Sequence, residues 1–249
     1  MKKLFGLAVV AIIFSSCSTQ KSETTSDSTA VAVSEPVNTL TEQQKADGWK
    51  LLFDGQTMNG WTIFKGKEND TWEVVDGTLH CKLPGDSTAT KRADLRTVDE
   101  YENFEFAIDW KISPKGNSGI MYLVTEEAKA AYETGPEYQL IDDANFPEKL
   151  EDWQKTGANY AMHPAPTAKP APVGEWNHTR ILVNNGHVEH WLNDVKVVEY
   201  DMASEEWKKA KATGKWKDTP GYGMSKRGHI ALQDHGSEAW FKDIRIRKL

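Results

Sequence analysis

Between residues 47 and 249 the apolar residues come in short alternating runs broken by turn signals, and no long helical stripe interrupts them. Asp76-Gly77, Asn184-Asn185-Gly186 and Asn193-Asp194 each separate two such runs, the punctuation that tight β-hairpins require. The runs fall at 71–75, 78–83, 102–112, 119–124, 137–141, 177–184, 187–192, 195–200, 228–233 and 239–247. Many short strands at this spacing predict an all-β sandwich or barrel. Helix is expected only as excursions, at 125–132, 147–156 and 204–212.

The ends narrow the class further. Lys2 and Lys3, an apolar stretch over 4–14 and Ser15-Ser16-Cys17 read as an export signal occupying 1–16. The apolar stretch is shorter than the ~20 residues that span a bilayer. A signal that stops at a cysteine resembles a bacterial lipobox, which implies lipidation of Cys17 and a place in the cell envelope. Residues 17–46 are Ser, Thr, Ala, Val and acid with no periodic apolar face, a disordered tether by composition. Cys81 is the one cysteine besides Cys17, so no internal disulfide is expected and the domain at 47–249 must hold itself by its core. The formal charge of −7 becomes −9 once Lys2 and Lys3 leave, which argues against a nucleic-acid partner. The expected state is a monomer.

Several strands carry polar groups where a sandwich normally buries aliphatics. In Gly135-Pro136-Glu137-Tyr138-Gln139-Leu140-Ile141-Asp142-Asp143, alternation sets Glu137 and Gln139 about 7 Å apart on one face. Asn117 and Gly119 share a face in the run from Gly116 to Tyr122, and Ala231, Gln233 and His235 share one near the C-terminus. These strands predict a sheet with one polar face lining a cleft and one apolar face packed on a second sheet. The same alternation also describes a solvated outer face. Among the 10 Trp, Trp72, Trp110 and Trp191 fall in strands and are expected in the core, with Trp176 at a sheet corner. Trp153, Trp207 and Trp216 fall in excursions, where each anchors a loop or joins an aromatic rim for a sugar.

Six motifs in order carry a family resemblance. They are Gly48-Trp49-Lys50-Leu51-Leu52-Phe53-Asp54-Gly55 with Asn59-Gly60-Trp61, Gly116-Asn117-Ser118-Gly119-Ile120, Gly135-Pro136-Glu137-Tyr138-Gln139, Gly174-Glu175-Trp176-Asn177, His190-Trp191-Leu192-Asn193, and Gly228 to Gly236 with Phe241 to Ile246. Together they resemble the 3-keto-disaccharide hydrolase family. The resemblance implies a concanavalin A-like jelly-roll β-sandwich of two antiparallel sheets. It also implies a substrate already oxidised to a ketone at C3 of one sugar, and a hydrolase or lyase acting on its glycosidic bond. Asp194 stands where the family's turn has glycine, and a fixed catalytic role for His163 is not expected.

A C3 ketone makes the C2 proton acidic, so such chemistry needs a base, a stabiliser for the enolate oxygen and an acid for the departing oxygen. Glu137 is the candidate base. His235 is the candidate acid, or the electrophile at the C3 oxygen. Asn117, Gln139, Asp142, Tyr160 and Gln233 are the candidate substrate-binding residues. Glu137, Asp142 and His235 have the donor types for a divalent metal, but no spacing demands one and no cofactor is assigned. Three rival readings stay open: a lectin-like binding module on the same fold, a conventional glucanase with two carboxylates, and a structural surface adhesion protein.

Overall fold

A computed structural model describes residues 37–83 and 91–249. All ten runs read from the sequence are strands, and three further short strands complete two antiparallel sheets. The larger sheet has eight strands. Its order is β11 (Val195–Asp201), β10 (His187–Leu192), β9 (Asn177–Asn184), β6 (Phe104–Ile112), β13 (Ala239–Lys248), β4 (Thr78–Cys81) and β3 (Trp72–Val75), with β1 (Lys50–Leu51) also pairing with β13. The smaller sheet runs β2 (Trp61–Ile63), β5 (Leu95–Thr97), β12 (His229–Leu232), β7 (Asn117–Val124) and β8 (Glu137–Ile141). The two form a jelly-roll β-sandwich. β1, β2 and β5 carry two or three residues each, too few to show a period.

The core lies between the sheets and follows the alternation. Phe104, Phe106, Ile108 and Trp110 of β6 meet Ile120, Tyr122, Tyr138, Leu140, Ile230 and Leu232 of the smaller sheet, all buried. Cys81 is buried and unpaired. A deep polar cluster in the core is fully partnered. His190 Nδ1 donates to the Gly157 carbonyl at 3.0 Å, so Nε2 is free to accept the Tyr122 hydroxyl at 2.8 Å, and that hydroxyl also bonds Tyr200. Burial drives the His190 imidazole down to about 3, so it stays neutral at physiological pH.

Of the three helical excursions, one is an α-helix, α2 (Glu205–Thr213), capped by Ser204, whose hydroxyl accepts the Trp207 N–H at 3.1 Å. The other two are reduced to single 3-10 turns at Ala131–Glu133 and Asp152–Gln154. Residues 37–46, read from composition as tether, carry a short capped helix, α1 (Glu42–Ala46). Asn38 locks this segment to the body: its N–H donates to Asp243 Oδ1 at 2.6 Å and its amide to the Gly77 carbonyl at 2.8 Å. Composition misses such anchoring because it rests on one buried asparagine. Cys17 and the signal lie outside the described residues.

Between Met121 and Val124 the register of β7 against β12 slips by one residue, with Leu123 at φ 55°. The bulge turns Val124 to the same side as Met121, where both join Phe64, Ala131 and Ala231 in a small apolar cluster on the outer face of the smaller sheet.

Removing the Tyr122 hydroxyl strands His190 Nε2 in the core. Chemical denaturation of Tyr122→Phe should show a loss of about 2 kcal/mol. The same change at Tyr132, 41% exposed, should cost less than ~0.5 kcal/mol. Equal effects at the two positions would mean the buried cluster is not a structural unit.

Candidate active site

The outer face of the smaller sheet carries a row of side chains set by strand register. β12 pairs with β5 through Ala231 opposite Arg96 and Leu232 opposite Leu95, so the next step brings Gln233 opposite Asp94. On the other side, Gln233 N–H donates to the Gly119 carbonyl at 2.9 Å, and Gly119 faces Gln139 of β8. The row therefore reads Asp94, Gln233, Gly119, Gln139. Glu137 lies one step along β8 on the same face and leans across Gly119. A Cβ at position 119 would stand 2.9 Å from Glu137 Cγ and Cδ, so the carboxylate occupies the space that glycine leaves open.

Glu137 is 4% exposed. Burial first, and then the negative charge of Asp94, push its carboxyl up to about 8, against the pull of Lys215 and a hydrogen bond from Gln233. The Gln233 Oε1 is buried without a hydrogen-bond partner. Asp94 is half-buried and pushed up to about 6, again by burial first; the Asp234 N–H that it accepts at 3.0 Å, Lys67 and Arg92 oppose the rise. Lys215 is exposed, its Nζ 4.2 Å from the Tyr160 ring centroid and 5.0 Å from Trp216. Its charge acts on both Glu137 and His235, which places it over the same region.

The loop after β12 presents His235. Asp234 is buried, accepts the Thr71 hydroxyl at 2.6 Å and Arg92 Nε at 3.2 Å, and closes the turn by accepting the Gly236 N–H at 3.0 Å. His235 shows its outer edge to solvent, but packing around the imidazole and then Arg92 hold its pKa below the usual value. It is therefore neutral near pH 7. Ser237 Oγ accepts the Asn117 N–H at 3.1 Å and fastens this loop to β7.

The fold brings together Glu137, Gln233, Asn117 and Gln139, with His235 and Tyr160 at the margin. Gln139 is buried and spends its amide on Asn117 Oδ1 at 2.8 Å and on the Ser118 and Leu140 carbonyls at 3.2 Å, so it orients Asn117. Tyr160 N–H donates to the Glu137 carbonyl at 3.0 Å, and its ring sits under Lys215 and edge-on to Trp153. Asp142 is placed differently. Its parity turns it to the opposite face, where it accepts the N–H groups of Lys115 at 2.8 Å, Asn145 at 3.0 Å and Ala144 at 3.2 Å, capping the loop after β8. Burial would raise its pKa, but those bonds hold it below the usual range.

Glu137, Asp142 and His235 consequently do not converge as a set of metal ligands. The cluster of His187, Glu189 and Glu199 on the larger sheet has ligand atoms within 4.8 Å of one another. Lys196 Nζ already fills it, at 3.2 Å from Glu189 and 2.5 Å from Glu199.

Sequence reasoning missed Asp94, Arg92 and Lys215. Trp207 and Trp216 anchor their loops and do not form a rim: both are buried in a stack with Tyr222, at centroid distances of 5.9 and 4.2 Å. Trp72 and Trp110 are buried as expected, while Trp191 is half-buried under Arg180 and Trp176 lies under Lys111 and Lys242. His163 stacks on Tyr200 at 4.6 Å, away from the row.

Residues 48–247 match the profile of the 3-keto-alpha-glucoside-1,2-lyase-like domain. A Bacteroides thetaiotaomicron protein named 3-keto-disaccharide hydrolase is 31% identical, with 100% of both chains covered. Among solved structures, a glycosyl hydrolase candidate of Parabacteroides distasonis is 45% identical with a TM-score of 0.80, covering 86% of this chain and 100% of its own. The Bacillus subtilis carbohydrate binding module CBM66 shares the fold at 14% identity and a TM-score of 0.50, over 76% of this chain and 96% of its own.

The raised pKa of Glu137 has a stability consequence. An unfolded chain releases this proton near 4.5, whereas the folded protein keeps it to about 8. Stability contributed by the group is thus complete below 4.5 and is lost as pH rises to 8. Glu137→Gln removes the buried charge, so its stability relative to wild type should rise steadily over that window, by roughly 4 kcal/mol between pH 4.5 and pH 8. A constant difference across the window would contradict the assignment.

Proposed function

The chain belongs to the 3-keto-alpha-glucoside-1,2-lyase-like domain family, and from that premise we propose that it is a glycoside hydrolase cleaving glycosides that carry a ketone at C3. The observation that carries this reading is the Glu137 carboxyl, buried in a row of polar side chains on the outer sheet face with a proton affinity near neutrality. The name of the Bacteroides thetaiotaomicron relative supports the substrate class.

The reaction follows from the ketone. Loss of the C2 proton gives an enolate, the enolate expels the oxygen at C1, and water adds to the resulting enone. Glu137 is the proton-transfer group. Holding its proton below about 8, it first acts on the departing oxygen as an acid, the reverse of the role read from sequence. His235, neutral, donates an N–H to the ketone oxygen, and Lys215 supplies positive charge where the enolate forms. Asn117 and Gln233 bond sugar hydroxyls. Lipidated Cys17 would hold the enzyme at a bacterial envelope.

A second reading has an observation of its own, because Asp94 supplies a second carboxylate on the same face and a two-carboxylate glycosidase needs a pair. One experiment separates the readings: purified protein with 3-keto-trehalose, 3-keto-glucosides and their unoxidised parents, each with and without chelator. Cleavage confined to the oxidised set is expected. Hydrolysis of the parents would favour the glycosidase, and binding without turnover a lectin-like module.

Gly119→Ala tests the geometry. The added methyl meets the end of a flexible side chain, so the carboxyl shifts and the strand stays. Turnover of the 3-keto substrate should fall by ~100-fold with an unchanged circular dichroism spectrum. Full activity would show that the position of Glu137 is unimportant.

A further inference from the structure

We propose that Asp94 is a second catalytic carboxyl, paired with Glu137 across Gln233, and that it is the base that takes the C2 proton. The inference rests on the reading of this site as a 3-keto-glycoside hydrolase and adds the group which that chemistry lacks.

The geometry comes from register. Ala231 opposite Arg96 and Leu232 opposite Leu95 put Gln233 opposite Asp94, and Arg96 and Asp94, two residues apart, share the outer face. The backbones at Asp94 and Gly119 are two strand spacings apart, about 10 Å. The Glu137 side chain reaches back over Gly119, and Asp94, on the same face beyond Gln233, is near enough for its charge to act on Glu137. Two carboxyls therefore flank one amide on the outer face of the smaller sheet, next to the buried Met121 and Ala231 side chains.

Their surroundings divide the work. Asp94 faces Asp234 as a like charge and Lys67 and Arg92 as opposite ones, and its own charge acts on Glu137. Glu137 faces Asp94, Lys215, Gln233 and the Tyr222 phenol. The proton affinities separate to about 6 and about 8, so between those values Asp94 is ionised and Glu137 protonated. Two carboxyls whose environments split them this way are poised as acceptor and donor.

The step balances without a co-reactant. Asp94 takes the C2 proton, the C–H electron pair passes through the C3 enolate to form the C1–C2 double bond, and the C1–O bond breaks as Glu137 protonates the leaving oxygen. Water then adds to C1 of the enone and gives a proton to the Glu137 carboxylate, while Asp94 returns its proton to C2. One water is consumed and both carboxyls regain their starting forms.

The test separates base from acid by using a 3-keto sugar with hydrogen in place of the C1 oxygen. It has no leaving group, so exchange of its C2 proton in deuterium oxide, followed by NMR, needs only the base. Asp94→Asn keeps an oxygen to accept the Asp234 N–H and should fold as wild type, which thermal unfolding checks. Exchange should slow by at least ~100-fold in Asp94→Asn and stay within ~10-fold of wild type in Glu137→Gln. With a cleavable 3-keto glycoside, Asp94→Asn should lose the acidic limb of the kcat/KM profile near pH 6 and keep the alkaline limb near pH 8. Wild-type exchange in Asp94→Asn, or equal loss in Glu137→Gln, would overturn the assignment while leaving the substrate class intact. A wild-type protein that neither exchanges nor cleaves any 3-keto sugar would overturn the proposed function itself.

Discussion

A carboxyl held out of water on a strand face places demands on everything around it. Glu137 needs a glycine beneath it, since any side chain at 119 would push it aside. It needs a strand that does not shift, which the inner face of β8 supplies through Tyr138 and Leu140 in the core. Tyr160 pins the strand from the open side through the Glu137 carbonyl, and Gln139 ties β8 to β7 through Asn117. These contacts matter because an unpaired buried carboxyl is among the costlier things a fold can hold, and a looser neighbourhood would let it swing to water. The sandwich is the rigid backing that keeps the group where solvation would not.

Much of that backing was legible in the sequence, and the reasons differ by element. β8, β9 and β10 match their expected bounds because each combines alternation with a turn or Gly-Pro boundary. The shared face of Glu137 and Gln139 follows from parity alone. Parity also turns Asp142 to the other face, yet its nearness in sequence to Glu137 suggested a common site. What stayed hidden sits on β5 and on loops. Leu95–Thr97 is three residues long, and its place in the sheet is fixed by pairing with β12 more than a hundred residues away. Without that pairing, Asp94 after Lys91 and Arg92 reads as a surface charge.

The segment after α2 shows the same limit in another form. Lys215 and Trp216 have no periodic signal, and Trp216 looked like a candidate for an exposed rim. It is buried against Tyr222, which stacks in turn on Trp207 of α2. The column anchors the loop from inside the molecule and leaves Lys215 as its outward tip, against Tyr160. A local pattern cannot express this, since the loop is placed by aromatic packing onto a helix, and the helix by its own Trp207. Trp207 and Trp216 thus anchor their loop, the reading favoured from sequence over a rim, and the outward group is a lysine carried on an aromatic stem.

The fold alone does not decide between holding a sugar and cleaving one, as its likeness to a carbohydrate binding module makes plain. The two tasks ask for different groups. Binding a sugar is served by amides and aromatic edges that stay satisfied and half-solvated, as Asn117 and Tyr160 are here. It gains nothing from a carboxyl whose burial lowers stability as the pH rises toward neutral. A group that destabilises the folded state in the working pH range is retained where its proton is used. That asymmetry, more than the shape of the sheet, separates this face from a binding surface.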